Sequence, residues 1–250
     1  MTQFLPVAGA DIESAISNRE YNRLLSLPRD RELEGDLLDR AQKARCWYGR
    51  HGNPFVAARR MDLREVSSDS VLLGNGVTLH SLLLAQRLRS GEAHALTVLA
   101  ASAGVEVANE TARHWSEGRP DEAFFLDRLA VAVTEHLIFW AAATLCRVSE
   151  RSHETVLPHL SPGCGNWDLS DQHKLMALLT GTENGTRLGP LQMLPSGALH
   201  PQHSVLAAMG MTHRNIGVTP ESLCRACDWN PCRFRRAPYS GEALHLLEVR

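Results

Sequence analysis

The sequence predicts one globular domain built from both helices and strands, followed by a short cysteine-rich extension. Three observations support this. Helical apolar periodicity recurs along the chain, strand-length apolar runs lie between the helices, and cysteine and arginine become frequent near the C-terminus. With 250 residues, 44% of them hydrophobic, the chain is long enough to bury a sizeable core. We therefore assign residues 1–215 to the folded domain and residues 216–250 to the extension.

Helices and strands follow one another in the N-terminal half. Residues 18–50 have helical spacing of leucines with a break at Pro28. The remaining elements are strands at Asn53–Val66 and Val71–Leu73, a helix from about Leu79 to Leu88, and an apolar run at Ala95–Ala101 that is typical of a central strand.

The C-terminal half contains the longest helix and two loops rich in glycine and proline. The helix spans Glu122 to about Arg147, and its Asp127 and Glu135 share one face, because they lie eight residues apart. This face could border a pocket or form a solvated edge. From His159 to Gly210, two Gly/Pro-rich loops flank a helix that begins near Asp168, and a short apolar strand follows.

Charge and hydropathy exclude several classes of protein. The net charge of −2 argues against a nucleic-acid partner. We find no basic segment followed by an apolar run at the N-terminus and no stretch of about 18 uninterrupted apolar residues, so we expect no signal peptide and no membrane span. These observations predict a cytoplasmic protein whose six cysteines are reduced or bound to metal.

Five segments carry a resemblance to a known family when they are taken in order. They are Arg19–Leu38 (REYNRLLSLPRDRELEGDLL), Leu96–Glu106 (LTVLAASAGVE), Asp127–Leu137 (DRLAVAVTEHL), Ser161–Lys174 (SPGCGNWDLSDQHK) and Ser196–Val205, with its Pro201 and Ser204. Together they resemble the activation domain of cobalamin-dependent methionine synthase, and more closely the free-standing relatives of that domain, over about residues 18–213.

The resemblance implies an α+β fold, with a mixed or antiparallel sheet flanked by helices and a shallow groove that binds S-adenosylmethionine. In the family, the domain presents the sulfonium methyl group to a cobalamin on a neighbouring domain, and reductive methylation restores an oxidised cobalt. The residues of this chain at the implied ligand site are Glu135, His159, Ser161, Pro162, Gly163, Gly165, Ser196, Gly197, Ala198 and Ser204.

Three positions depart from the family pattern. His159 stands where the family has an arginine suited to bidentate capture of the ligand carboxylate. Cys164 replaces the loop tyrosine, and Pro195 replaces the acid before the serine of the second loop. Only Glu135 is retained among these polar groups. Because the other three are absent, the resemblance supports the scaffold more strongly than the ligand.

The extension contains a candidate metal site. Cys224, Cys227 and Cys232 have C-x2-C-x4-C spacing, and Cys164 in the first loop could supply a fourth thiolate, with His159 and His200 as alternatives. Thiolate ligands favour zinc or an iron–sulfur cluster. The alternative is a set of reduced cysteines in a flexible tail. We expect Cys46 and Cys146, on helices with apolar neighbours, to be core residues.

Two functions follow from the sequence. The first is an accessory protein of a corrinoid-dependent methyltransferase system, which binds S-adenosylmethionine or a related small molecule and reactivates a corrinoid. Its partner would be a separate corrinoid protein, because this chain lacks an Asp-x-His-x-x-Gly segment. The alternative is an iron–sulfur or zinc-binding redox or assembly subunit, which could work with an electron-transfer protein. A third option is a relative that binds only a partner protein. Whether the chain is itself a methyltransferase is left open.

Overall fold

The structure is a computed structural model that describes most of the chain. The described residues are 1–28, 31–148, 153–164, 166–214, 216–217, 224, 232, 235–238 and 247–248. Two residues of the predicted sites, Gly165 and Cys227, lie outside them.

Helices and strands are interspersed along the chain. The helices are α1 (Gly9–Ala15), α2 (Asn18–Leu24), α3 (Gly35–His51), α4 (Leu82–Ser90), α5 (Val105–Ser116), α6 (Pro120–Val148) and α7 (Asp171–Thr180). The strands are β1 (Gln3–Phe4), β2 (Phe55–Val66), β3 (Ser70–Leu73), β4 (Thr78–His80), β5 (Ala95–Ser102), β6 (Thr155–Val156), β7 (Arg187–Leu188), β8 (Leu191–Met193), β9 (Leu199–His200), β10 (Ser204–Thr212), β11 (Ile216–Gly217) and β12 (Leu247–Glu248).

The main sheet is antiparallel throughout the described residues. Its strands follow the order β4-β3-β2-β5-β10-β6, and β1 pairs with β2. The central strand β5 pairs along its whole length with β2 on one side and with β10 on the other. All eight residues of β5 are buried, as its continuous apolar run predicts. Of the mixed or antiparallel alternatives, the structure shows the antiparallel one.

Each face of the sheet carries its own apolar core. Helices α1, α2, α3, α5 and α6 cover one face, with Leu99, Leu129 and Val133 among the buried residues. Helices α4 and α7 cover the other face, where the core includes residues of β3 and β4 and buries Leu96 and Trp167. Because successive residues of β5 point to opposite faces, this one strand contributes to both cores.

The N-terminal helices differ from the sequence-based expectation. Two helices, α2 and α3, replace a single interrupted one, and α3 buries its small residues Ala41 and Ala44 while Leu37 and Leu38 remain more than one-third exposed. The expectation of a core position for Cys46 is wrong, because its side chain is exposed on α3. Cys146 is partly buried and packs against the core of the α6 face.

Helix α6 is long and apolar enough to cross a bilayer by length and composition, over Pro120–Arg147. Its Leu126, Leu129, Val133 and Leu137 are buried against the sheet and its neighbours. This face of α6 therefore packs into the core, and 39% of the most apolar stretch of the helix is buried.

Candidate functional site

Helix α6 crosses the end of the sheet where β5 stops and β10 begins. Asp127 Oδ1 lies 2.9 Å from Nε2 of His203, the residue before β10. One helical turn beyond Leu129 and Ala130, the Thr134 hydroxyl donates to the His203 carbonyl oxygen at 3.1 Å. Burial opposes ionisation, but the hydrogen bond and charge of His203 hold the pKa of Asp127 below its usual value. These contacts fix the register of α6 over the sheet.

A serine pair lies at the same end of the sheet. The Ser204 and Ser102 hydroxyl oxygens lie 2.8 Å apart, the Ser204 hydroxyl donates to the Pro201 carbonyl oxygen at 2.6 Å, and Ser102 accepts from the Gly104 N–H at 3.2 Å. Gly104 has φ +103°, and a β-carbon there would lie 2.6 Å from the Asn53 carbonyl oxygen. Only glycine fits this backbone without strain. The predicted site residue Ser204 therefore contacts Ser102, the last residue of β5.

Glu135 lies farther along α6 and belongs to an ion cluster. Its Oε2 accepts from Arg23 of α2 at 2.5 Å and from Arg236 of the extension at 2.7 Å. Glu20 Oε2 lies 3.1 Å from Arg23 and 2.8 Å from Arg236. We call Glu20, Arg23, Glu135 and Arg236 the acid–arginine cluster. Although burial opposes it, the two guanidinium groups lower the pKa of Glu20.

Phe139 connects the acid–arginine cluster to His159. It follows Glu135 by one helical turn, so the two share a face of α6. Its ring lies 5.9 Å from the Arg236 guanidinium carbon and packs edge-on against the His159 ring at 5.9 Å. The structure therefore brings together Glu135 and His159, which the sequence places 24 residues apart.

A mostly apolar cavity of about 260 Å³ opens beside this aromatic pair, lined by Ile138, Phe139, Ala142, Ala143, Cys146, Val156, Leu157, Pro158, His159 and Met209. Arg87 fixes one wall by donating to the carbonyl oxygens of Pro158 (3.0 Å) and His159 (2.8 Å). Burial, with smaller contributions from the charges of Arg87 and Arg236, lowers the pKa of His159 to about 4. The His159 imidazole is therefore uncharged at neutral pH. It contributes a neutral polar group to the otherwise mostly apolar wall of the cavity.

The first Gly/Pro-rich loop is a compact turn. Cys164 N–H donates to the Ser161 carbonyl oxygen at 3.1 Å, and Gly163, with φ +90°, donates to the Trp167 carbonyl oxygen at 2.8 Å. Pro162 is buried, whereas Gly163 and Cys164 are exposed. The loop is thus ordered by its own backbone hydrogen bonds and presents its tip to solvent.

Asp171 ties this loop to the body of the protein. It is 2% exposed, and its carboxylate accepts from the Trp167 indole N–H at 2.8 Å and the His80 N–H at 2.9 Å. Lys174 pairs with its other oxygen at 2.7 Å. One buried carboxylate therefore joins the loop, α7 and β4.

The second loop segment lies on the other face of the sheet. Ser196, Gly197 and Ala198 form the turn between β8 and β9, where the Ser196 hydroxyl accepts from the Ala198 N–H at 3.3 Å. Gly197 faces His173 of α7, and α7 covers the sheet face opposite to α6. These three predicted residues and Glu135 therefore lie on opposite sides of the sheet. Ser204 lies at the end of the sheet, paired with Ser102.

The described cysteines do not by themselves assemble a metal centre. Cys164, Cys224 and Cys232 are reduced, and among the described residues these three sulfur atoms do not lie within 4.8 Å of one another. Cys224 Sγ instead accepts the Arg236 backbone N–H at 3.2 Å. Because Cys227 lies outside the described residues, the cysteine site stays a prediction.

A His–Glu–His group that was not recognised in the sequence lies at the opposite end of the sheet. His94, Glu154 and His213 bring three ligand atoms within 4.8 Å of one another. Arg60 already pairs with both oxygens of the buried Glu154, at 2.7 and 2.8 Å, and reaches His94 Nε2 at 3.2 Å. The rings of His94 and His213 stack at 4.4 Å, and both histidines are exposed. The group links Arg60 of β2 to residues that lie beside β5, β6 and β10.

Its architecture defines the class of this chain: an α+β domain whose antiparallel sheet carries a long helix over one face and a loop–helix segment over the other. No protein-family model and no curated protein matches the sequence. Among solved structures, a crystal structure of the MetH reactivation domain bound to AdoHcy is similar over 88% of this chain and 80% of that chain, with a TM-score of 0.67 and 14% identity. The activation-domain-like fold predicted from the sequence is confirmed.

Two participants in the site were missed by sequence reasoning. In the sequence, Arg23 belongs to the predicted N-terminal helical segment, and Arg236 belongs to the arginine-rich part of the C-terminal extension. Both lie on Glu135, more than 100 residues away in the chain. No sequence signal identifies these contacts, because an arginine on a polar helix face or in a basic run has the same local pattern whether it is solvated or paired.

Proposed function

We propose that the chain is an accessory protein of a corrinoid-dependent methyltransferase system, which binds S-adenosylmethionine or a close analogue and reactivates a corrinoid held by a separate protein. The observation that carries this proposal is the fold shared with the MetH reactivation domain, whose structure contains AdoHcy. The cytoplasm is the compartment in which we expect it to act.

The residues present fit part of such a ligand. Glu135 offers a carboxylate to the ligand ammonium group. The cavity lined by Phe139, Met209 and other apolar side chains suits an aromatic ring. The ligand carboxylate fits less well, because the neutral His159 replaces the arginine implied by the resemblance. The protein would position and desolvate the ligand, while the ligand and the corrinoid supply the methyl-transfer chemistry.

Calorimetry with the full chain tests this function. We expect both S-adenosylmethionine and S-adenosylhomocysteine to bind at ligand concentrations up to millimolar, and Glu135→Gln to weaken binding about ten-fold, roughly 1.4 kcal/mol, the size expected for one charge-assisted hydrogen bond.

Glu122→Gln is the matched control. Glu122 lies on the same helix and pairs with Arg40 at 3.4 Å, with an exposed fraction of 34% against 32% for Glu135. It precedes Glu135 by about 20 Å along the helix axis. The Glu122→Gln variant should therefore bind the ligand with the same affinity as the natural chain. Absence of heat and of a thermal shift with either compound would refute the ligand assignment.

The second candidate is a zinc or iron–sulfur protein that uses the same scaffold for redox or assembly work. The Arg236 N–H bond to Cys224 Sγ favours it, because backbone N–H groups aimed at sulfur stabilise thiolate ligands. Anaerobic purification followed by metal and sulfide analysis distinguishes the candidates. This second function predicts bound metal that is lost in Cys224→Ser and Cys227→Ser, and Cys46→Ser is the control on an exposed, unrelated thiol.

A further inference from the structure

The acid–arginine cluster is electrically balanced. It contains two carboxylates, on Glu20 and Glu135, and two guanidinium groups, on Arg23 and Arg236. Both guanidinium groups donate to the same oxygen, Oε2 of Glu135. A ligand cation that approaches Glu135 therefore meets a neutral cluster in which the cation position is already taken.

The two arginines are held differently. Arg23 belongs to α2, its side chain is 2% exposed, and it is part of the folded domain. Arg236 comes from the extension, 101 residues after Glu135 in the chain, and its side chain is 13% exposed. Arg236 is therefore the more exposed of the two arginines and the one that lies outside residues 1–215.

The segment around Arg236 is docked by a few short contacts. Its backbone N–H donates to Cys224 Sγ, the Arg235 guanidinium donates to the Cys224 carbonyl oxygen, and the neighbouring Ala237 is 8% exposed. On the domain side, Arg236 reaches Glu20, Glu135 and the ring of Phe139. Its contacts with Glu20 and Glu135 are ion pairs, for which a ligand cation can compete.

We propose that Arg236 is an internal counter-ion that occupies the ammonium-binding position on Glu135, and that an amino-acid-type ligand binds there in exchange for it. The inference rests on the proposed function. Once Arg236 leaves, two carboxylates face one guanidinium, and the cluster has a net charge of −1 that suits one ammonium group. Docking of the extension and binding of ligand exclude each other, so each weakens the other by the same factor.

The exchange has a measurable cost for the ligand. The apparent affinity of the ligand equals its intrinsic affinity multiplied by the fraction of molecules in which Arg236 is undocked. In Arg236→Gln this competition is removed, and we expect S-adenosylmethionine and S-adenosylhomocysteine both to bind about ten-fold more tightly than to the natural chain. Arg236→Lys keeps the charge and should stay close to the natural affinity.

The test is calorimetry on the full-length variants, with Arg40→Gln as the matched control. Arg40 also pairs with acids of α6, Asp121 and Glu122, but at the far end of the helix. Its replacement should leave the affinity unchanged. Unchanged or weaker binding to Arg236→Gln would overturn the counter-ion proposal alone. A gain for S-adenosylmethionine only would overturn the assignment to the ammonium group, since S-adenosylhomocysteine has that group but no sulfonium. No binding to any variant would overturn the proposed function as well.

Hydrogen exchange gives a second readout that does not depend on affinity. The Arg236 amide, bonded to Cys224 Sγ, should exchange faster when ligand is added to the natural chain. It should also exchange faster in ligand-free Glu135→Gln, but not in Glu122→Gln. Ligand that binds without accelerating this exchange would show that Arg236 stays in place, and the proposal would be wrong.

Discussion

Replacement of Asp171 by alanine is expected to cost about 3–5 kcal/mol of unfolding free energy, measured by equilibrium urea denaturation. The carboxylate is 2% exposed and satisfies the Trp167 indole N–H, the His80 N–H and Lys174. Its removal leaves two buried donors without an acceptor and creates a cavity between the loop and α7. Each buried donor left without an acceptor costs about 1–3 kcal/mol in other proteins, whereas Lys174, whose side chain is 39% exposed, regains contact with water.

Asp168→Ala is the control for this experiment. Asp168 lies in the same loop and accepts from the Ser170 N–H at 2.7 Å, but its side chain is exposed. Its replacement should cost far less. If the two variants were equally stable, Asp171 would not be the residue that joins the loop to the sheet.

The second large effect is a loss of stability in mild acid that originates at His159. Burial beside Phe139, with the charges of Arg87 and Arg236, lowers the pKa of His159 from 6.5 to about 4. In the unfolded chain the imidazole takes up a proton near pH 6.5, whereas in the folded chain it does so only near pH 4. The unfolded state therefore binds more protons across this window, and stability falls as the pH is lowered through it, by up to about 3 kcal/mol.

The variant His159→Phe isolates this contribution. It keeps an aromatic ring against Phe139 but cannot titrate, so its stability between pH 6.5 and pH 4 should fall less steeply than that of the natural chain. His173→Phe removes an exposed histidine and should leave the slope unchanged. Parallel slopes for the natural chain and His159→Phe in urea titrations at each pH would contradict the assignment.

Much of the fold follows from local patterns in the sequence. The run at Ala95–Ala101 is apolar at every position except Thr97, which is typical of a strand buried on both faces, and β5 is that strand. Helix α6 has a recognisable apolar stripe. In contrast, β4 has only three residues, and its sequence is equally compatible with the start of a helix, so the prediction began the next helix too early. Leucine spacing predicted a helix where α3 lies but not its buried face, which Ala41, Ala44 and Tyr48 provide.

The candidate site could be predicted only in part. Glu135 and His159 follow from the family resemblance, and the structure joins them through Phe139, which the sequence analysis does not single out. The two arginines on Glu135 depend on how α2 and the extension pack against α6, which is tertiary information. The same limit applies to Ser196, Gly197 and Ala198, since the order of segments along a chain does not state which face of a sheet they occupy.

The position of β10 in the sheet has a consequence for the order of folding. Strands β2 and β5 are adjacent once residue 102 has been synthesised, and β10 then adds to the remaining edge of β5. The short strand β6, which precedes the first loop, is held in the sheet through its pairing with β10. The loop–helix segment between them is therefore fastened at both ends by one late strand. We therefore expect completion of the sheet, closure of the cavity beside His159 and placement of Ser204 to depend together on the pairing of β10.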